Sequence, residues 1–524
     1  MRVHSFVCNI AVAIFLLAAS SAWAAPAQVA GSTQKAGQNE DLNLKYERCL
    51  AEGSNLMQRR SFQAALAKFD EALKLKPKSA YAFSLRARAL KNLNRADEAL
   101  ADVKKAMALD PKSVQPYLTL AGMSLRDKEV AKARQYLAQA DKIEPHNYEV
   151  VGLIGTCYAI EQKYKEALPY VNESLKLRPD AHRYAQRAAI YRLLGDQKSE
   201  LKDYDKATAL APDNAIYATE RATTYLQTNR LKDALNEVNR ALSLDPKYGQ
   251  AYYIRANIEW HQKQTTATLA DLGKALTLEQ NGTFFHFRGS IYEIKDEWRR
   301  ALNDQLAADR LLPNQGYIKA AVARNYHHLL EPQSAMEAIN AAIKLDPKNS
   351  EYYEERSAIY RTMMDYDLSV ADDTRAIECA KKPPINSLIN RIRYNRAHKK
   401  FDLALKDQNR IISYFSPSKW ELKQSRAQIY EEMGDYQKAK VDLDLVITKQ
   451  PSDTNFFSRA RVNWKLKRLK EALDDCNQAI VIAPGMSSYY LLRGEIHMAM
   501  GKTQEAQKDK AAARAADEAS LPPR

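Results

Sequence analysis

The 524-residue chain lacks the short motifs on which most catalytic chemistry depends. It has five cysteines and no two at a zinc-binding spacing, no glycine-rich phosphate loop and no nucleophile elbow. Four of its nine histidines lie in one region, but no two are four residues apart on a helical face: His261, His286, His327 and His328. We therefore predict no enzyme activity, no cofactor and no metal site.

Long hydrophobic runs are also absent, except for one at the start of the chain. Residues 6–19 are apolar, follow Arg2, and precede a small-x-small cleavage pattern from Ala22 to Ala24. The run is shorter than the roughly 20 residues that a membrane-spanning helix needs. We predict a signal peptide over residues 1–24, export to the periplasm or the cell exterior, and no transmembrane segment after cleavage. An uncleaved anchor is the alternative.

Beyond the signal, residues 25–45 are rich in Ala, Gln, Gly and Ser and almost free of aromatic residues. Such a composition buries too little apolar surface to order a chain, so we predict a disordered tether.

What the sequence does contain is a proline that returns every 34 residues. The series continues with one-residue slips and comprises Pro77, Pro111, Pro145, Pro179, Pro212, Pro246, Pro313, Pro347, Pro451 and Pro484. With proline fixed at position 32, alanine recurs at positions 20 and 27, glycine or alanine at position 8 and tyrosine at position 11. This pattern resembles the tetratricopeptide repeat, a helix-turn-helix unit.

The resemblance covers roughly residues 46–514 and implies an all-α fold, a right-handed α-solenoid superhelix of tetratricopeptide-type helix hairpins. About fourteen units fit, starting near residues 46, 80, 114, 148, 181, 215, 249, 282, 316, 350, 385, 420, 453 and 487. Residues 515–524 are left as a tail. The proline rhythm breaks at residues 278–283 and around unit 11, and either place is a candidate hinge.

A second regularity links positions 7 and 23. Ten units carry arginine at the first position and an acid at the second: Arg86 and Asp102, Arg187 and Asp203, Arg221 and Glu237, Arg255 and Asp271, Arg288 and Asp304, Arg356 and Asp372, Arg391 and Asp407, Arg426 and Asp442, Arg459 and Asp475, Arg493 and Asp509. Unit 1 reverses the signs with Glu52 and Lys68, and three units lack both charges. We interpret these as structural ion pairs between the two helices of a unit. A basic stripe for an anionic ligand is the alternative.

The resemblance also implies that one face of each first helix lines a concave groove. Although the chain has a net charge of +15, the groove positions hold ten basic and eight acidic residues. A nearly neutral groove does not suit a phosphate backbone, so we expect no nucleic-acid partner. The lysine at position 5 that the family uses to clamp a peptide carboxylate is absent from every unit.

Units 7 to 9 present an amphipathic set of side chains at the groove positions: Tyr253, Asn257, Trp260, His286, Tyr317, Arg324 and His327. Rings with polar tips suit an extended peptide or a sugar chain, although they also suit packing between repeats. We predict a non-enzymatic protein–protein interaction scaffold that binds a peptide or protein partner in this groove. The alternative is a polysaccharide-binding scaffold of a cell-envelope assembly system.

Overall fold

The computed structural model of the protein describes residues 39–58, 61–382, 384–415 and 419–519. The predicted signal peptide lies outside the described residues, as does the predicted tether up to residue 38. Its remaining part differs from the prediction, because the first helix begins at Asn39 and includes residues 39–45. The last helix likewise ends at Ala519, so that half of the predicted tail is helical.

The described residues form 28 α-helices and no strand, and each odd-numbered helix packs against the helix that follows it, as a hairpin pair. The chain divides into two compact units, one ending at Gln280 and the other beginning at Asn281. The helices of the first unit are α1 Asn39–Gln58, α2 Phe62–Leu75, α3 Ala80–Asn92, α4 Ala96–Leu109, α5 Gln115–Arg126, α6 Val130–Ile143, α7 Tyr148–Ile160, α8 Tyr164–Leu177, α9 Ala181–Leu194, α10 Gln197–Leu210, α11 Ala215–Gln227, α12 Leu231–Leu244, α13 Gly249–His261 and α14 Thr265–Leu278.

The second unit begins one residue before its first helix. Its helices are α15 Gly282–Ile294, α16 Trp298–Leu311, α17 Gly316–His328, α18 Pro332–Leu345, α19 Ser350–Thr362, α20 Tyr366–Cys379, α21 Ile385–Ala397, α22 Phe401–Phe415, α23 Trp420–Met433, α24 Tyr436–Lys449, α25 Asp453–Lys465, α26 Leu469–Ile482, α27 Ser487–Ala499 and α28 Thr503–Ala519. The prediction of an all-α solenoid is confirmed.

Local chemistry sets where these helices start and stop. Several first helices open on a side-chain cap, as where Asn147 Oδ1 accepts from the backbone N–H of Glu149 at 2.9 Å. The turn to the second helix then needs a left-handed residue, which is glycine at Gly195, Gly434 and Gly501 but a larger residue in most pairs. The repeating proline lies just beyond the second helix, where it cannot continue the helix.

The core lies between the helices of each pair and against the next pair. Alanines at positions 20 and 27 of the repeat are fully buried, for example Ala65 and Ala72. The small residue at position 8 is required by close packing: a Cβ added to Gly53 would lie 2.5 Å from the Phe69 ring. Within the described residues, no helix is both long and apolar enough to span a membrane.

Candidate functional site

The structure brings together all ten arginines and acids that the sequence pairs. In the first unit Arg255 donates from Nε and Nη2 to the two carboxylate oxygens of Asp271, at 2.6 and 2.8 Å. The same two-pronged contact joins Arg86 to Asp102 and Arg187 to Asp203. The remaining pairs are Arg221–Glu237, Arg288–Asp304, Arg356–Asp372, Arg391–Asp407, Arg426–Asp442, Arg459–Asp475 and Arg493–Asp509. We call each pair a rung.

Most rung arginines make a further contact that the sequence reasoning missed. Their Nη1 atom reaches an acceptor on the second helix of the preceding pair, as from Arg86 to Asp70 at 2.8 Å and from Arg356 to Asn340 at 2.7 Å. The other acceptors are Asn172, Asp205, Asn239, Thr374, Asn409, Asp444 and Asn477. Each rung arginine is thus engaged inside the chain, which favours the structural interpretation over a basic stripe.

The sequence signal for these acceptors is an Asp, Asn or Thr at position 25, 15 to 17 residues before a rung arginine. Where the next unit has no rung arginine, the same position holds Lys104, Ala138 or Leu306. Positions 7 and 23 of one unit and position 25 of the unit before it therefore vary together, with one exception, Gly273 before the Arg288 rung.

Four of the predicted groove residues lie in the second unit, on α15 and α17. The His286 and Tyr317 rings meet edge to face with centroids 5.0 Å apart, and Tyr317 is 36% exposed. His286 Nδ1 lies 2.7 Å from Gln305 Oε1, and burial lowers the pKa of His286 despite that hydrogen bond. The imidazole is therefore neutral at pH 7, and this edge of the site is uncharged.

Arg324 lies between two glutamates on neighbouring first helices. Its Nη1 donates to Glu293 at 3.1 Å and its Nε to Glu355 at 3.2 Å, while 42% of its side chain stays exposed. His327 completes the group, with Nε2 2.7 Å from Thr362 Oγ1 and Nδ1 3.8 Å from Glu355. Burial alone would raise the pKa of Glu355, but His327 and Arg324 hold it below its ordinary value. We call His286, Tyr317, Arg324 and His327 the second-unit patch.

The other three predicted residues lie in the first unit, on α13. Tyr253 is only 3% exposed and belongs to the core. The Asn257 amide donates to the Tyr253 carbonyl one turn earlier at 2.8 Å, and Trp260 is half-buried. Tyr253 therefore offers a ligand almost no surface.

His327 and His328 are adjacent in the chain but have different contacts. His328 stacks on Trp298 with ring centroids 3.8 Å apart, whereas His327 contacts Thr362, and the two imidazole centroids are 5.9 Å apart. Among the residues that the structure describes, no group of three or more His, Cys, Asp or Glu side chains could hold a metal ion.

A buried ionic network in the first unit is another feature that the sequence reasoning missed. Arg192 donates to Glu200 and to Glu220, at 2.6 Å each, and Thr224 Oγ1 donates to Glu200 at 2.7 Å. All three charged side chains are at most 5% exposed. The available signal was Glu200 itself, which takes the alanine position 20 of its unit, because a buried carboxylate requires a cation.

Comparison with known proteins identifies the repeats. Two tetratricopeptide repeat family models match the chain, one over residues 50–114 and 219–282 and the other over residues 181–214 and 421–453. The chain therefore contains tetratricopeptide repeats. Their predicted number, about fourteen, stays a prediction.

Similar proteins carry the same repeat. A TPR repeat-containing protein of Methanocaldococcus jannaschii is 23% identical over 444 residues, which cover 82% of this chain and 74% of that protein. Human tetratricopeptide repeat protein 6 is 24% identical over 60% of this chain and 62% of its own length.

Solved structures of repeat proteins are similar at a lower level. YrrB, described as a TPR protein with an unusual peptide-binding site, aligns with 34% of this chain and 91% of its own at a TM-score of 0.31 and 20% identity. The Cut9–Hcn1 complex aligns with 93% of this chain and 95% of its own at a TM-score of 0.40 and 13% identity. At these TM-scores no detail of either structure transfers to this chain.

Proposed function

We propose that the protein is a non-enzymatic interaction scaffold that holds a peptide or protein partner on the first helices of its repeats. The observation that carries the proposal is the second-unit patch, in which an exposed tyrosine and a part-exposed arginine lie on one first helix, α17, next to His286 on the preceding first helix. Peptide recognition rests on a few aromatic and arginine anchors of this kind. Tetratricopeptide repeats in the chain support the same class of function.

Arg324 is well prepared for such a role. Glu293 and Glu355 hold its guanidinium in place, so little conformational entropy is lost when a partner packs on it. Tyr317, on the same helix, adds a partly exposed ring that has few rotatable bonds to immobilise. The local charge is close to balanced, and we expect binding at this patch to depend only modestly on salt.

The test compares an exposed with a buried tyrosine. Full-length protein, Tyr317→Ala and Tyr253→Ala are used to capture partners from an envelope extract, and each melting temperature is measured. We expect Tyr317→Ala to lose partners at an unchanged melting temperature. Tyr253→Ala should instead lower the melting temperature, because it empties part of the core. Retention of every partner by Tyr317→Ala would exclude the second-unit patch as the contact surface.

Polysaccharide binding remains the alternative from the sequence, and the same variants on a glycan array test it. Stacking of sugars needs exposed ring faces, whereas Tyr253 is buried and Trp298 is covered by His328. Glycan binding that Tyr317→Ala abolishes would favour this alternative over a protein partner.

We also propose that the protein is exported, on the strength of the signal-like residues 1–24. Expression in a host with a secretory pathway, followed by sequencing of the mature N-terminus, checks this proposal. A mature chain that begins near Ala25 is expected, and a chain that keeps residues 1–24 would indicate the anchored form.

A further inference from the structure

The polar side chains in and around the second-unit patch offer more hydrogen-bond acceptors than donors. They lie on three successive first helices, α15, α17 and α19, and hydrogen bonds through Glu293 and Arg324 join them into one group. Three acceptors of this group receive no hydrogen bond from the described residues. They are Glu355 Oε1, His286 Nε2 and Asn325 Oδ1.

Two carboxylates share one guanidinium in this group. Arg324 donates from Nη1 to Glu293 Oε2 and from Nε to Glu355 Oε2. Glu293 Oε1 accepts from the Asn325 amide at 2.7 Å. Glu355 Oε1 is different, because the His327 Nδ1 atom beside it lies 3.8 Å away, beyond hydrogen-bonding distance. One of the carboxylate oxygens is thus open, and the two acids have one negative charge more than Arg324 balances.

His327 in its neutral form does not satisfy that oxygen. The Thr362 hydroxyl donates to the Ala358 carbonyl at 3.3 Å, so its oxygen accepts from His327 Nε2 at 2.7 Å. A neutral imidazole with its proton on Nε2 has an acceptor at Nδ1. This acceptor faces Glu355 Oε1, and a donor placed beside both atoms would satisfy both.

His286 presents a second acceptor, because its tautomer is fixed by Gln305. The amide nitrogen of Gln305 lies 3.3 Å from Glu293 Oε1 and donates to it, so the amide oxygen accepts from His286 Nδ1 at 2.7 Å. Burial lowers the pKa of His286, and the ring is neutral. Its Nε2 is therefore an unprotonated acceptor.

The third acceptor belongs to a fully buried side chain. Asn325 is 0% exposed, and its amide nitrogen donates to Glu293 and to the Ala321 carbonyl, at 2.7 Å each. These two bonds fix the orientation of the amide, because a rotated amide would place oxygen against oxygen. Asn325 Oδ1 is left buried without a partner among the described residues. Buried polar atoms are nearly always paired, so this atom indicates a missing donor.

We propose that the second-unit patch binds a basic side chain, lysine or arginine, of a peptide segment, with the cationic group at Glu355 Oε1. Lysine and arginine side chains carry donors and a positive charge but no acceptor, and every unmet group here is an acceptor. Backbone N–H groups of the same segment are the donors for the remaining acceptors. This inference rests on the proposed scaffold function and names the partner's chemistry at the same surface.

The net charge of the chain limits how basic the segment is. A net charge of +15 repels a polybasic segment at long range, whereas contacts within the patch are closer than the screening length of about 8 Å at physiological salt. One basic residue among uncharged ones meets the local acceptors with little of that repulsion. We therefore expect a single basic residue in the segment.

The experiment measures binding of the full-length protein to arrayed, capped octapeptides. Each set fixes one central residue, which is lysine, arginine, glutamine, norleucine or glutamate, and fills the other places with uncharged residues. We expect the lysine or the arginine set to bind at least about fivefold more strongly than the other three. The absence of this preference would overturn the inference. Displacement of the bound lysine peptides by putrescine at equal concentration would also overturn it, because a free amine would then be the ligand.

Two glutamine variants locate the site. Glu355→Gln should lose the preference for lysine over glutamine, and Glu337→Gln, which changes an exposed glutamate on α18, should keep it. The preference is a ratio within one preparation, so a variant that is only less stable weakens every set and keeps the ratio. A full preference in Glu355→Gln, or an equal loss in Glu337→Gln, contradicts the proposed site.

If Glu355→Gln does not fold, a surface variant decides the question. Glu351 is exposed and lies one turn before Glu355 on the same face of α19. Glu351→Lys should therefore reduce the preference at least about threefold, whereas Glu337→Lys should leave it unchanged. An unchanged preference in Glu351→Lys would then overturn the inference.

Failure of this inference is distinguishable from failure of the proposed function. If Tyr317→Ala loses captured partners but no set with a basic residue is preferred, the scaffold function stands and the inference is wrong. If the preference depends on Glu355 but Tyr317→Ala keeps every captured partner, the patch recognises a basic side chain and is not the surface that holds those partners.

Discussion

The acid of a rung is more deeply buried than its arginine, and this difference determines the cost of breaking the pair. In the Arg86 rung 23% of the arginine side chain is exposed but only 4% of Asp102. We predict that Arg86→Met, which strands the buried carboxylate, lowers the free energy of unfolding by about 3 kcal/mol. Urea unfolding followed by circular dichroism measures it.

Two further variants control this prediction. Arg86→Met combined with Asp102→Leu should recover most of the loss, because no buried charge is left unpaired. Lys68→Met breaks the reversed pair of the first hairpin, where the side chains of Lys68 and Glu52 are 36% and 38% exposed, and should cost less than about 1 kcal/mol. Equal losses in Arg86→Met and Lys68→Met would contradict the importance of burial.

Glu259 makes the stability of the first unit depend on pH. Burial and then the nearby Asp271 raise its pKa to about 7, and its Oε2 has no partner within the described residues. Because the folded pKa lies above the unfolded value of 4.5, the folded state binds the proton more tightly. The contribution of protonated Glu259 to the free energy of unfolding is therefore fully present below pH 4.5 and is lost as the pH rises through about 7.

We therefore predict that Glu259→Gln raises the free energy of unfolding by about 1 kcal/mol at pH 8, a value reduced for the partial exposure of the group. At pH 4 the variant and the wild type should be equally stable. Glu337→Gln, which changes an exposed glutamate on α18, is the matched control and should show no such difference. Denaturant midpoints at the two pH values decide the outcome.

At the scale of single residues, the sequence predicted side-chain contacts wherever two repeat positions vary together. Arg255 and Asp271 could be paired because an acid accompanies arginine in ten units. The burial of Tyr253 and Arg183 could not be predicted, because it depends on the volume that neighbouring pairs leave free. Gly152 leaves room for a guanidinium, and no pattern in a single sequence indicates that room.

At the scale of elements, the turn within most hairpins places one residue in the left-handed backbone conformation, whatever its side chain. Leu330 has φ 60° and Met364 has φ 61°, and both side chains are 76% exposed. A left-handed conformation costs such residues about 1–2 kcal/mol and costs asparagine less. We predict that Leu330→Asn raises the free energy of unfolding by about 0.5–1 kcal/mol in urea melts.

Two control variants test whether the gain in Leu330→Asn comes from its left-handed backbone. Leu403→Asn changes a leucine that is 51% exposed within α22, and it should destabilise the protein because asparagine is a poorer helix former. Gly195→Ala places a Cβ at φ 79° and should destabilise by about 1 kcal/mol. A loss of stability in Leu330→Asn would show that contacts of the leucine side chain outweigh the backbone strain at this turn.

The start of the first helix could not be predicted from the repeat pattern. A template aligned on proline begins at position 1 of a unit, near Tyr46, and carries no information about residues before it. The structure continues the helix back to Asn39 over polar residues with exposed Leu42 and Leu44.

At the scale of the whole molecule, the rungs contain many arginines but contribute nothing to the net charge of +15. Their arginines are compensated one by one by buried acids, so the excess positive charge lies in the remaining side chains. A basic net charge with a nearly neutral predicted groove favours encounters with anionic partners without specifying a nucleic acid.

The division at Gln280 and Asn281 gives the last prediction. It falls in the stretch where asparagine and glycine replace the repeating proline, and seven helix pairs lie on each side of it. Stability in repeat arrays is approximately a sum over units and nearest-neighbour contacts, so an array of several pairs is sufficient for folding. We predict that residues 39–280 and 281–519, produced separately, each give a helical far-ultraviolet spectrum and a cooperative thermal transition. A half that is unfolded at 25 °C while the other folds would show that its pairs need the rest of the chain, and that the two units are not independent folding bodies.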